Sequence, residues 1–143
     1  MIKVLFDTNV LVSGLVSFKH PTIAPAQLLH AWRAGMFELC ISENIIAEVK
    51  KTLDVSYFKK RLKPNDIKEA LDLLSEECTF IIITASVKNV ATHPEDDLVI
   101  SAAVSGRVDY LVTGDQPLLQ KVDKSYQKVS LVTPREFLQI LKH

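Results

Sequence analysis

The chain predicts a doubly wound α/β fold, a mostly parallel sheet of five strands with helices on both faces, and three observations carry that prediction. Five short apolar runs rich in branched residues punctuate the sequence, segments of helical period lie between them, and caps or stops fall at the joins. Continuous apolar runs are the pattern of strands buried on both faces. Strands alternating with helices require βαβ crossovers, which cover both sides of a parallel sheet. Such a sheet carries its sites at the carboxyl ends of its strands.

The elements follow in order. "IKVLF" (2–6) is the first strand, and "APAQLLHAWRAG" is a helix stopped by Gly35. "FELCI" (37–41) is the second strand, and it feeds "SENIIAEVKKTL", where Ser42 is an N-cap and Ile45, Ile46, Val49 and Leu53 share one face. In "NDIKEALDLLSEE" the residues Ile67, Ala70, Leu71 and Leu74 repeat at helical spacing. "TFIII" (79–83) is the third strand, followed by "EDDLVISAAVSG", a helix with acidic residues in its first turn and a stop at Gly106. "DYLVT" (109–113) and "KVSLV" (128–132) complete the sheet. The chain then closes on "TPREFLQIL", where Thr133 is the N-cap, Pro134 takes the first helical position and Glu136 completes a capping box.

At 143 residues, with 48% hydrophobic and 24% charged, the chain reads as one domain over 1–143, with no linker and no internal repeat. Seventeen basic and seventeen acidic residues cancel. The overall field therefore excludes the strongly positive footprint of a typical nucleic-acid binder, and any such contact must use a local patch. Cys40 and Cys78 stand in or beside apolar runs and read as small buried hydrophobes of a reducing cytoplasm. The first apolar run is broken by Asp7, which excludes a signal peptide, and no stretch is long enough for a membrane span. A soluble, cytoplasmic protein is expected.

The first stretch poses the functional question. In "KVLFDTNVLV" a carboxylate, Asp7, stands between two runs that favour burial. Directly after a central strand, it belongs at the crevice rather than in the core. Asp115 repeats the arrangement after "DYLVT" and Gly114, so two acids share one rim. Asp96 and Asp97 open the helix that feeds that second strand. At about 100° per residue, Glu48 flanks the buried stripe of its helix, where a side chain can reach past the packing interface into a cleft. Each acid alone also fits a cap, a turn or a solvated charge. Four carboxylates within ~5 Å would repel by roughly 3 kcal/mol per pair, so together they call for a cation. Oxygen-only ligands select Mg²⁺ or Mn²⁺. The four histidines form no ligand-spaced pair with each other or with the cysteines, which disfavours zinc.

"LFDTNVLVSGL", "SENIIAEVKKTL", "HPEDDLVISAAVSGRVDYLVTGDQPLL" and "TPREFLQIL" resemble, in the same order, the sequence blocks of the PIN-domain nucleases. The likeness is greatest to the bacterial and archaeal branch of toxin components related to the VapC ribonucleases. It implies a compact three-layer α/β/α sandwich and a Mg²⁺- or Mn²⁺-dependent endoribonuclease. It carries the family's acids onto Asp7, Glu48, Asp97 and Asp115, with Asp96 a rival to Asp97 as metal ligand. Asn9, Ser13 and Thr113 resemble the positions that orient carboxylates, water or phosphate. A small antitoxin and a homodimer are the partners it implies.

An RNA substrate needs a positive surface, and "YFKKRLK" with Lys50 and Lys51 supplies the densest cluster: Lys50, Lys51, Lys59, Lys60 and Arg61. The same residues fit a solvated helix face equally well. Products of a metal-activated water would be a 5′-phosphate and a 3′-hydroxyl, because the RNA 2′-hydroxyl is not the nucleophile. Two other enzymes with an Asp after the first strand fit poorly. A phosphatase wants a second Asp where Asn9 stands, and a receiver domain wants a Lys where the chain has Val132 and Thr133. The alternative from another class is a catalytically weak PIN module that binds RNA or a protein partner.

Overall fold

The computed structural model describes residues 1–55, 60–85, 94–121 and 125–142, with the backbone alone at 94–96 and 121. Lys59 and the aromatic pair Tyr57 and Phe58 lie outside the described residues, and so does the side chain of Asp96. Strands β1 (Lys3–Phe6), β2 (Glu38–Ser42), β3 (Thr79–Ile81), β4 (Tyr110–Val112), β5 (Ser125–Tyr126) and β6 (Val129–Val132) form one sheet in the order β3-β2-β1-β4-β6-β5. All pairings are parallel except that of β5 with β6.

The expected five strands are therefore six. The extra one, β5, is a two-residue arm of a hairpin that turns through Gln127 and Lys128, both at positive φ. It carries no apolar run, so periodicity has nothing to register. Strand β3 is also shorter than "TFIII". It stops at Ile81, leaves Thr79 and Phe80 exposed, and is followed by Ile82 at 82% exposure. Burial on both faces fails there because β3 is an edge strand.

Among the described residues the helices are α1 (Thr8–Val16), α2 (Ala24–Arg33), α3 (Glu43–Leu53), α4 (Pro64–Glu77), α5 (Pro94–Ser105), α6 (Gln116–Lys121) and α7 (Pro134–Leu141). They flank the sheet in an α/β/α arrangement, and none is long and apolar enough to cross a membrane. The capping box of α7 is present, with Thr133 Oγ1 accepting from Glu136 N–H and Glu136 Oε1 from Thr133 N–H. Gly35 stops α2 at φ +80°, a conformation that favours glycine.

Helix α1 is absent from the sequence expectation because "VLV" reads as an extended apolar run. It forms because Asp7 caps it, its side chain accepting from Thr8 N–H at 2.7 Å. Most of α1 is buried, and it packs on α2 and α3. A Cβ on Gly14 would stand 2.9 Å from the Pro25 carbonyl oxygen and 2.7 Å from Leu29 Cδ1, so the α1–α2 contact depends on this glycine. Behind the sheet, Phe37 lies 5.9 Å from Phe6 and 5.3 Å, edge-on, from Phe137.

From β1 the chain steps outward to β2 and β3, then returns to lay β4 on the other side of β1. The strand order reverses between β1 and β4, the place where sheets of this kind open a crevice outside the strand carboxyl ends. That is where Asp7 and Asp115 emerge.

Candidate active site

Register builds the site. Phe6 pairs with Val112, so the next residues, Asp7 and Thr113, stand side by side, tied by Asp7 N–H donating to Val112 O at 3.0 Å. Leu5 pairs with Cys40, which puts Ser42 level with Asp7 on β2, and Val112 pairs with Val132, which puts Thr133 level with Thr113. Polar residues thus take over from apolar ones at one register across four parallel strands. Among them only Asp7 is charged.

A continuous chain of hydrogen bonds joins three of the expected acids. Asp115 N–H donates to Thr113 Oγ1 at 3.1 Å, and Thr113 Oγ1–H donates to Asp7 Oδ2 at 2.9 Å. On the other side of Asp7, Oδ1 accepts from Thr8 N–H, and Thr8 Oγ1–H donates to Glu48 Oε2 at 2.9 Å. Because Thr113 Oγ1 already accepts from Asp115, its own proton is directed at Asp7. Asp115 also caps α6, with Oδ1 accepting from Leu118 N–H at 3.1 Å. Asp7 and Asp115 are each a helix cap, one of the roles open to them in the sequence.

Burial is the largest influence on Asp7 and pushes its carboxyl above the ordinary value. The Thr113 hydroxyl and the Thr8 N–H pull it back, and the charges of Asp115 and Glu48 push it up again. Asp7 therefore feels the charges of both Asp115 and Glu48 at this rim. These carboxylates do not form a closed ligand shell: among the described residues no three His, Cys, Asp or Glu side chains are gathered closely enough to hold a metal ion. The close convergence expected of four acids is thus a looser arrangement, with Thr8 standing between Asp7 and Glu48. The donor set still suits a hard divalent cation, since it consists of carboxylate oxygens.

Asp97 is half-buried in the first part of α5, and its carbonyl accepts from Ser101 Oγ at 2.8 Å. Asn9 and Ser13 are exposed on α1, whereas Thr113 is fully buried beneath Asp7. Lys50 and Lys51 are exposed near the end of α3, and Lys60 and Arg61 are exposed ahead of α4. Sequence reasoning missed Thr8, which is buried and holds Glu48. The available signal was its position directly after a capping carboxylate. A second concavity of about 410 Å³ lies away from the acids, between the end of α1, α2 and α4, with Leu15, Phe18, Trp32, Leu62 and Leu73 in its lining.

This fold, with carboxylates at the switch point of a parallel sheet, defines an α/β domain with an acidic rim. The PIN domain family model matches residues 3–117, a span that includes Asp7, Glu48, Asp96, Asp97 and Asp115, and the chain belongs to that nuclease family. Among solved structures, VapBC2 from Rickettsia felis, bound to a DNA fragment from their promoter, has a chain similar in fold. The identity is 19%, the TM-score 0.58, and the match covers 91% of this chain and 97% of that one. No curated protein sequence matches significantly.

Proposed function

We propose that this protein is a divalent-cation-dependent endoribonuclease and the toxin half of a toxin–antitoxin pair. The observation that carries the reading is the linked set Asp115–Thr113–Asp7–Thr8–Glu48 at the switch-point crevice of a PIN domain. On this reading Asp7, Asp115 and Asp97 would hold Mg²⁺ or Mn²⁺, with Asp96 the rival to Asp97. When bound, such a cation supplies a water acidic enough to attack phosphorus and a positive charge to offset the leaving oxygen.

The chain's own groups do the rest. Thr113 fixes the rotamer of Asp7 and, by donating to Oδ2, favours its charged form. Thr8 fixes Glu48 through one oxygen, and the described residues leave the other without a hydrogen bond, suited to take a proton from water in the crevice. The exposed Lys50, Lys51, Lys60 and Arg61, with Lys59, supply a cationic side for the RNA backbone. Asn9 and Ser13, exposed on the helix that Asp7 caps, are placed to meet water or phosphate.

The solved VapBC2 complex supports a small antitoxin as partner, and the apolar concavity beside α2 and α4 offers it a surface. A homodimer and a cytoplasmic location complete the proposal. The second reading, a catalytically weak module that binds RNA or protein, is favoured by one observation, the lack of a closed ligand shell among the described residues. Incubation of purified protein with RNA decides between them. The nuclease reading expects cleavage with Mg²⁺ or Mn²⁺ that leaves ligatable 5′-phosphates and stops in EDTA. Undiminished cutting in EDTA, or 2′,3′-cyclic phosphate ends, would remove the metal-water mechanism, and no cutting under any condition would favour the binding module.

A further inference from the structure

The run "TFIII" plays no part in the acidic rim, and it leaves an open edge on the sheet. Strand β3 pairs with β2 on one side only, and its last partner is Ser42, where β2 gives way to α3. Ile82 and Ile83 therefore run on past the end of the ladder, and among the described residues neither makes a backbone hydrogen bond. Their side chains face solvent as well. Phe80 is 49% exposed, Ile82 82% and Ile83 37%, whereas Ile81 is buried in the core. Phe80 and Ile82 thus share one side of the extended chain.

This edge is held in shape. Ser105 Oγ, at the end of α5, accepts from Thr84 N–H and Ala85 N–H, both at 3.0 Å, so the overhang is fixed by the sheet at Ile81 and by a helix at Thr84. It also lacks the devices by which a solitary edge avoids pairing: from Thr79 to Ala85 there is no charge, no proline and no glycine. The opposite edge of the sheet is blunted, because β5 is two residues long.

We propose that this edge is the contact between two copies of the chain, the Thr79–Ile83 segment pairing antiparallel with its own counterpart across a twofold axis at Ile81, so that the two sheets join. This rests on the homodimer of the reading above and gives that dimer its contact. Two features select a second copy over a different chain. In a twofold contact each group near the axis meets its own like, so any charge would meet the same charge, and this run has none. An axis at Ile81 also sets Phe80 opposite Ile82 of the second copy, an aromatic against a β-branched residue, which is a favourable cross-strand pair. Because the edge is already ordered, pairing sacrifices little of its freedom.

The test is the assembly state of the full chain, followed by sedimentation velocity over a range of concentrations. Wild-type protein should form a dimer and nothing larger, since a twofold pairing of edges closes on itself. Ile82→Lys, at a position too exposed to disturb the core, should weaken association by about tenfold or more while leaving the circular dichroism spectrum unchanged. A mixture of Phe80→Cys and Ile82→Cys chains, oxidised with copper phenanthroline, should give disulfide-linked dimers of unlike chains. Met36→Cys mixed with Ile82→Cys, an equally exposed control, should not, and the native Cys40 and Cys78 are buried away from the reaction. A wild-type dimer that Ile82→Lys leaves intact, or cross-linking no greater than in the control, overturns the assignment of the edge and leaves the homodimer standing. A wild-type monomer overturns both and leaves the edge to a different chain, and wild-type assemblies larger than a dimer overturn the closed pairing.

Discussion

Thr113 Oγ1 stands 2.9 Å from Asp7 Oδ2 although 106 residues separate them, and the same hydroxyl accepts from Asp115 N–H at 3.1 Å. One buried side chain thereby fixes both acids that emerge from adjacent strands. Thr113→Val keeps the shape and removes both bonds. It should cost about 1–3 kcal/mol in denaturant unfolding, since the Asp115 N–H and the Asp7 carboxylate each lose a partner. Cleavage should fall by about 10–100-fold, as for other groups that orient metal-binding side chains. Wild-type activity in this variant would mean that Asp7 does not depend on Thr113 for its orientation.

The charge on Asp115 and its role as a cap are separable. Asparagine caps helices as well as aspartate does, so Asp115→Asn should keep α6 and remove one of the charges that act on Asp7. In EDTA this variant should match or exceed the wild type in stability, by about 1 kcal/mol at an effective dielectric of 20. Added Mg²⁺ should raise the wild-type midpoint and shift the variant much less, and activity should be nearly lost. A variant that melts lower in EDTA and answers Mg²⁺ like the wild type would reduce Asp115 to a turn residue.

The raised carboxyl of Asp7 sets the sign of a pH effect. Asp7 holds its proton more tightly in the folded chain than in the unfolded one, so the folded state takes up the extra proton between the two pKa values. Its contribution to cation-free stability is fully present below the unfolded pKa and is lost as pH rises through the raised folded one. Melting curves in EDTA across the acid range should therefore show wild type losing stability relative to Asp7→Asn with rising pH. Parallel curves would contradict the shift. For activity the same proton competes with the cation, so the acid limb of the rate profile should lie above the ordinary carboxylate range and move down as Mg²⁺ is raised.

Neighbours in the first turn of a helix point about 100° apart, so Asp96→Asn and Asp97→Asn should have unequal effects on cleavage. The larger loss is expected at Asp97. Equal, mild losses would remove both from contact with the cation.

Gly14→Ala tests the fold rather than the chemistry. The new Cβ would meet the Pro25 carbonyl oxygen at 2.9 Å, a backbone atom that cannot swing aside. A loss of about 1–3 kcal/mol is expected from thermal or denaturant unfolding, through separation of α1 and α2. A stability equal to wild type would show that this contact relaxes freely.

Local chemistry is what the sequence determined by itself. Gly35, the apolar stripe after Ser42, the repeat from Ile67 to Leu74 and the Thr133–Glu136 capping box are decided within a few residues, and each forms where it was expected, although Ser42 precedes α3 without a side-chain cap bond because its hydroxyl donates to Asn44 Oδ1. The positions of Asp7 and Asp115 were legible for the same reason, because the end of an apolar run is the end of a buried strand. Tertiary structure decided what periodicity cannot express. It made α1 a helix inside an apolar run, since Asp7 caps it and neighbouring helices bury nearly every side. It exposed the end of "TFIII", because β3 is the edge strand among the described residues. It also chose Thr8 and Thr113 from many similar polar residues. Their partners lie across β1, β4 and α3, and only the strand register, a long-range consequence of packing, brings a threonine to 2.9 Å from an aspartate 106 residues away.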